Sequence, residues 1–577
     1  MKLKIIYGKS GSGKSTYLFN YIKNIISNPQ KIYIITPEQF SYTSERKLLE
    51  STNGAAINAE VLTFSRMAHR VITETGNNLK NIEPFGRSML IYDILDNKKK
   101  ELKFLGKNMQ NVEVIDKTIT EFKKHNITET NLGKAIDNLE DEYLKIKLKD
   151  VENIYNAYEE KIKEKFLDEN DVLSILAENI KNTDMFNDAV FLIDEFAGFT
   201  PQEYRIIEEL MKISKEIIVT ITTDSLIDNK LSEDTDIFYS NKIAINKLIE
   251  IANRNNVEIE KPIFLENTYR FKNEELKVLE ENIYDNFYKK YEKENKNIKL
   301  FLASNPYSEV EHVASQIIEE VRENGYRYRD IGVITKNIET YSSLIKVIFA
   351  KYDIPVYIDE KKDLSQNILI KYIISVLDVF SKNWSYDSVI AYAKTLFCDI
   401  EEEDIYVLEN YCKKWGIKYS KWYKEDWNFG EEDKEKLKKI NETRRKIVEP
   451  LLEFKEKCIK DQSAKNITSA IYKFLIRQNI DKKLEAKAKE VEKENADIVS
   501  EYEASFNIVI KILDEIVKVF GDERLTFDKY ASLLKISFTE NGLGKIPAGL
   551  DQVTVGDVDR SRSHKVKVIF IIGVNDR

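Results

Sequence analysis

The sequence predicts an α/β protein with two parallel-sheet domains, each interrupted by a long helical insertion. Three observations carry this. A short apolar run, Leu3, Ile5, Ile6 and Tyr7, meets a glycine-rich loop and then a helical periodicity at Tyr17, Tyr21, Ile22 and Ile25. Strand and helix signals alternate again from Ala189 to Thr222, from Lys299 to Ile358 and from Gln552 to Val574. Between them, 87–181 and 364–543 are charged, poor in Gly and Pro and helical in pattern. The expected division is 1–86 with 182–262 as the first sheet domain and 87–181 as its insertion. Residues 263–363 with 544–577 form the second sheet domain, and 364–543 its insertion.

Bulk properties bound the answer. At 577 residues the chain is too long for one core, and three to four domains are expected. Hydrophobic residues at 42%, charged residues at 32% and only 19 Gly and 9 Pro exclude a disordered or collagen-like chain. No charged-then-apolar leader and no 18-residue apolar run are present, so a cytoplasmic protein without membrane contact is expected. Cys398, Cys412 and Cys458 are too far apart for a Cys-x-x-Cys knuckle and read as plain thiols of a reducing compartment. Four scattered histidines, His69, His125, His312 and His564, make a His-rich zinc site improbable. A net charge of −9 does not advertise nucleic-acid binding, although a local basic groove can work inside an acidic protein.

The first element is the most informative. Gly8 to Ser15 reads GKSGSGKS, the phosphate-loop pattern, between a strand and a helix. Gly8, Gly11 and Gly13 let the main-chain N–H groups of the loop, with Lys9, Ser10 and Ser12 between them, close around phosphate oxygens while the helix directs its positive end at them. Lys14 is placed to reach the β- and γ-phosphates, Ser15 to offer its hydroxyl to Mg²⁺, and Thr16 lies one place further into the helix. ATP and Mg²⁺ are the ligands this pattern implies.

In chain order, Lys31–Thr36 reads as a strand ending at Pro37, Glu38–Leu49 as a helix, Val61–Phe64 as a strand and Ser65–Glu74 as a helix. Strand character returns at Ala189–Ile193, followed at once by Asp194 and Glu195. An apolar strand ending in two acids suits a nucleoside triphosphatase, with Asp194 holding Mg²⁺ through water and Glu195 polarising the attacking water. Thr200, Pro201 and Glu203 form a helix start. Ile217–Thr222 is a further strand, and Phe264–Phe271 (FLENTYRF) a strand running out into Tyr269 and Arg270. The second sheet domain reads KLFLAS from Lys299, a helix at Ser308–Asn324, a strand at Ile331–Thr335, a helix at Glu339–Tyr352 and a strand at Pro355–Ile358. It closes with strands at Gln552–Val555 and Val566–Val574. Trp384, Trp415, Trp422 and Trp427 read as core of the second insertion.

Two such domains in this order resemble a superfamily-one DNA helicase motor with RecA-like folds. More closely, the chain resembles the AddB family, the second subunit of bacterial AddAB helicase-nucleases. The residues carrying this are 8–16, ITPEQFSYTSER (35–46), VLTFSRMAHRV (61–71), FLIDEFAGFTPQEY (191–204), FLENTYRF (264–271), SEVEHVASQI (308–317) and VTVGDVDRSR with VKVIFIIGV (553–574). The resemblance implies DNA double-strand-break processing for homologous recombination, recognition of Chi, double- and single-stranded DNA as substrates and an AddA-type partner. It implies that Gly13, Lys14 and Ser15 hold the triphosphate, that Asp194 and Glu195 are the acidic motif, and that Arg270 reaches the γ-phosphate across the domain cleft with Tyr269 near the base or ribose. Arg560 and Arg562 are expected on DNA phosphates, opening a loop where a motor's DNA track runs. The family's nuclease domain and its 4Fe-4S cluster are expected beyond residue 577, and the three cysteines here lack the cluster spacing. Two departures matter. Where a working motor has a glutamine after the acid pair and a threonine-isoleucine-histidine run in its last sheet motif, this chain reads DEFAGFT and VGDVDRSR. ATP binding with weak hydrolysis and little independent unwinding is therefore expected. The competing readings are a self-sufficient helicase and a DNA-gripping scaffold with a vestigial nucleotide site.

Overall fold

A computed structural model describes residues 1–575 except 53, 55, 77–78, 106–108, 227–235, 284–289, 364–366, 396, 431–432, 460, 492–495, 541, 545–550 and 559–565. Its first sheet contains β1 (Lys2–Gly8), β2 (Ile32–Ile35), β3 (Ala59–Leu62), β6 (Val190–Ile193), β7 (Glu216–Thr222), β8 (Glu258–Ile259) and β9 (Ile263–Phe264). Two short strands between them, β4 (Lys80–Ile82) and β5 (Phe166–Asp168), form a sheet of their own. The first sheet runs β3-β2-β6-β7-β1-β8, with β9 also on β1, and every pairing is parallel. Parallel strands need apolar residues on both faces, and β2 (IYII) and β6 (VFLI) are buried throughout. Helices α1 (Lys14–Ile25) and α2 (Glu38–Ser51) cover one face through Leu18, Ile22 and Leu48. Helix α3 (Phe64–Glu74), with helices Pro201–Ile213 and Tyr239–Arg254, covers the other. Helix α3 starts where the Thr63 hydroxyl accepts from the Arg66 N–H, and helix Pro201–Ile213 starts with a reciprocal cap between Thr200 and Glu203.

Three local expectations are corrected. The region from residue 87 to 181 is not purely helical, because β5 pairs in parallel with β4; three-residue strands are too short for a period-two pattern to register. Phe264–Phe271 does not open the second sheet. Only Ile263–Phe264 is strand, it pairs with Ile6–Tyr7, and Leu265 N–H continues the ladder to Tyr7 O at 2.8 Å. KLFLAS forms no strand either: Leu300 and Leu302 are fully exposed, and the Phe301 ring stacks on His312 at 3.6 Å. An apolar run becomes a strand only when a neighbouring strand takes up its backbone groups, and among the described residues none pairs here.

The second sheet orders β11 (Val356–Ile358), β14 (Val553–Asp557), β10 (Ile331–Thr335) and β15 (Val568–Ile571), all parallel, under helices Pro306–Arg322 and Ile338–Lys351. Between its halves lies a bundle running from helix Ile368–Ser381 to helix Phe527–Glu540. The antiparallel pair β12 (Lys361–Asp363) and β13 (Gly542–Gly544) closes its base. Trp384, Trp422 and Trp427 are buried in this bundle, as expected of core residues.

The two helical regions share α4 (Pro84–Lys98). Its Phe85 and Met89 enter the core of the bundle, while Leu90, Ile91 and Ile94 enter that of the first helical region. Glu515 from the bundle accepts from the Glu83 N–H at 3.0 Å, at the start of α4. Buried Asp93 pairs with Lys161 at 2.6 Å on one side and with Lys529 on the other. A second buried charge cluster joins α4 to α5 (Met109–Lys124) and β5. Arg87 donates to Asp116 and Asp168, and Lys123 lies 2.9 Å from Glu159, 3.1 Å from Asp168 and 2.5 Å from Asp171.

Candidate functional site

Strand β1 delivers the glycine loop to the carboxyl edge of the first sheet, where open parallel sheets collect ligands. Two of its glycines are dictated by close approach. A Cβ on Gly8 would lie 2.5 Å from Leu265 O, and one on Gly11, where φ is +81°, would lie 2.4 Å from Arg270 Cβ. Both neighbours belong to the segment after β9, which folds back over the loop. Tyr269 N–H donates to Gly11 O at 2.8 Å, the Tyr269 ring lies beside Gly13, and the Arg270 guanidinium donates to Ser10 Oγ at 2.9 Å. Arg270 thus reaches the loop from the same sheet rather than across a cleft, because β9 is a strand of that sheet. Lys9 makes a loose ion pair with Glu280, 3.8 Å away, on the helix that follows.

Lys14, the first residue of α1, donates to Gly8 O at 2.8 Å and Lys9 O at 2.9 Å. No carboxylate lies within ion-pair distance of it among the described residues. Burial therefore pushes its ammonium down to about 8; Asp194 and Glu195 oppose this from further off, and Arg270 adds to it. Ser15 Oγ donates to Glu195 Oε1 at 3.1 Å, and Thr16 is exposed on the first turn. Ser12 is buried in the loop, its hydroxyl without a partner among the described residues.

Asp194 and Glu195 leave the carboxyl end of β6, two strands from β1, with β7 between. Glu195 adopts φ +67°, a left-handed conformation that a non-glycine residue holds only under constraint. Its carboxyl is raised above the usual range by burial first and by Asp194 second, with Lys47, Ser15 and Lys14 pulling the other way. Asp194 is buried, its N–H bonded to Ile35 O at 3.0 Å, and it accepts a hydrogen bond from Thr220 on β7. The structure thus brings Lys14, Ser15, Glu195, Tyr269 and Arg270 onto one loop, with Asp194 behind them. The hydroxyl of Ser15 and the two carboxylates form a hard oxygen set of the kind Mg²⁺ takes together with phosphate and water.

Other expectations fall elsewhere. Arg560, Arg562 and His564 lie outside the described residues. Cys398, Cys412 and Cys458 are buried and separate, and burial pushes Cys398 and Cys458 up to about 12, the behaviour of core thiols. Gln202, the first glutamine after the acids, donates to Asn170 O at 2.8 Å and Ser174 Oγ at 2.9 Å, beneath the helical insertion and away from the loop. A cavity of about 640 Å³ opens beside β3, lined by Leu48, Val61, Arg66 and Arg70 among others, and contains none of the candidates. Sequence reading missed Thr220 and Glu280. The signal for Thr220 was a lone hydroxyl in the strand Ile217-Ile-Val-Thr-Ile; Glu280 carried none.

Fold and site together define an α/β protein whose parallel sheet presents a glycine-rich loop, a lysine and two acids at one edge. Residues 5–280 match the family described as ADDB, N-terminal. Along its whole length the chain is similar to proteins named as the B-type subunit of an ATP-dependent helicase/deoxyribonuclease. It is 39% identical over 599 residues to the one from Clostridium acetobutylicum, 40% over 604 to that of Clostridium tetani and 37% over 598 to that of a Thermoanaerobacter species. In each case 100% of this chain aligns with 52% of the relative, so it spans about half the length of the curated relatives it matches. Among the described residues no helix is long and apolar enough to cross a membrane.

Proposed function

We propose that this chain is the nucleotide- and DNA-binding half of the AddB-type component of a cytoplasmic helicase/exonuclease complex that processes DNA double-strand breaks for homologous recombination. In this reading the two sheets with their helical insertions are RecA-like domains of the superfamily-one type. An AddA-type subunit is the partner, and Chi recognition and 5′–3′ nuclease activity belong to the whole protein. The observation that carries it is the convergence of Lys14, Ser15, Glu195 and Arg270, distant in sequence, on one glycine loop.

The chemistry follows from the residues. Loop N–H groups and the start of α1 surround the phosphates, and Lys14 exchanges two carbonyl partners for phosphate oxygens. Ser15 and Asp194 would hold Mg²⁺, which supplies positive charge to the terminal phosphates. Glu195, once released from Ser15, would orient a water, and Arg270 would turn from Ser10 to the γ-phosphate. The absence of a glutamine directly after the acids accords with slow turnover.

The test is ATP binding and turnover with and without single-stranded DNA, for the wild type and Lys14→Ala, each with and without an AddA-type subunit. The expected result is Lys14-dependent binding, weak turnover alone, and altered DNA processing by the Lys14→Ala complex. Strong DNA-stimulated turnover by this chain alone would make it a self-sufficient helicase. Lost binding with unchanged processing would make it a scaffold.

A further inference from the structure

Strand β7 lies between the strand that carries the loop and the strand that carries the acids, and its side chains alternate strictly. Ile217, Val219 and Ile221 enter the core under α3, while Ile218 enters the core under α1. Thr220 shares the face of Ile218. In register it lies opposite Ile6 on β1, and one place beyond the Ile193–Val219 pair, which sets it beside Asp194. Thr220 is only 2% exposed, in a strand where every neighbour from Ile217 to Ile221 is isoleucine or valine. A valine would fill the same space without burying a hydroxyl, so the hydroxyl needs a reason. Its one partner among the described residues is Asp194 Oδ1, to which it donates.

We propose that Thr220 is a positioning residue for the metal-bound nucleotide: by tying down Oδ1 of Asp194 it fixes the carboxylate in one orientation and leaves Oδ2 to serve the metal. The proposal rests on the nucleotide-site reading. A hydrogen bond to a charged acceptor is worth more than one between neutral groups, and in a buried strand it also selects a single rotamer. A free Asp194 side chain would have to be ordered each time the metal arrived, and Thr220 does that ordering in advance. The acid pair is then held from two sides, Asp194 by β7 and Glu195 by Ser15 of α1.

The experiment compares Thr220→Val, Thr220→Ser and Asp194→Asn, with Lys14→Ala as reference. The probe is a fluorescent ATP analogue titrated at a series of Mg²⁺ concentrations. Thr220→Val should raise the Mg²⁺ concentration for half-maximal binding by about tenfold, while analogue binding without Mg²⁺ stays within twofold of wild type. Thr220→Ser keeps the donor and should recover most of the Mg²⁺ dependence, which a packing role would not allow. In the Asp194→Asn background Thr220→Val should add little. An unchanged Mg²⁺ dependence in Thr220→Val, a Thr220→Ser protein as impaired as Thr220→Val, or an additive double variant would overturn the assignment. Failure of the wild type to bind, or binding indifferent to Lys14→Ala, would instead remove the nucleotide site and this role with it.

Discussion

Lys14 and Lys123 are both lysines sunk below the surface among acids, yet the two sites are built in opposite ways. Lys123 touches three carboxylates, at 2.5 to 3.1 Å, and they raise its affinity for a proton in spite of its burial. Lys14 touches two carbonyl oxygens and no carboxylate among the described residues, and burial lowers it to about 8. A buried charge supplied with partners holds elements together. One left short of them costs stability in the empty protein and suits a ligand that brings negative charge of its own. The contrast separates a structural cluster, joining α4 to α5 and β5, from a site waiting to be filled.

The largest effect should come from removing the unpaired charge. Lys14→Ala should weaken binding of a triphosphate analogue by about a hundredfold or more, because charge-assisted bonds to the phosphates are lost. Its urea midpoint without nucleotide should not fall, since no ion pair is broken. Direct binding and urea unfolding on the same preparation check both halves; a lowered midpoint would show that Lys14 is structural after all.

Lys123→Met reverses the pattern. It leaves Asp168 with Arg87 alone and takes from Glu159 and Asp171 their one cation among the described residues, and breaking such a cluster costs about 3–5 kcal/mol. Urea unfolding should show that loss, while analogue affinity stays within twofold of wild type. A nucleotide defect as large as that of Lys14→Ala would erase the distinction between the two sites.

Which parts of this could be read in advance follows from how local each signal is. The strand, glycine loop and helix from Leu3 to Ile25, and the apolar strand ending in Asp194 and Glu195, are written in adjacent residues. What escaped depends on which strands and helices become neighbours. The Thr220–Asp194 bond exists because β7 was threaded between β6 and β1, and the return of Tyr269 and Arg270 over the loop exists because β9 found the edge of β1. Helix α4 serves two cores because its faces differ in partner rather than in hydrophobicity. KLFLAS fails in the other direction, since its short apolar run reads as a strand and no described strand pairs with it.

The finest test of the comparison is pH, because the lysines shift in opposite directions. For Lys14 the folded value of about 8 lies below the usual lysine value of 10.5. Below pH 8 the folded and unfolded chains both carry the proton, and the cost of burying it is present in full. Between about 8 and 10.5 the folded chain gives the proton up while the unfolded chain keeps it, so this contribution to stability improves as pH rises. Lys14→Met should therefore be more stable than wild type at pH 7, with the advantage shrinking through that window. Nucleotide affinity should move the other way: flat from pH 6.5 to 7.5, it should fall by up to tenfold per unit above about 8, as the ammonium needed by the phosphates is lost, and Lys14→Ala should show no such fall. Lys123, whose value is raised, contributes its stability below the ordinary lysine range and loses it only at still higher pH, so Lys123→Met should leave the affinity profile unchanged. Equal pH slopes for wild type and Lys14→Ala would mean that the titrating group is not this lysine, and that the loop draws its positive charge from elsewhere.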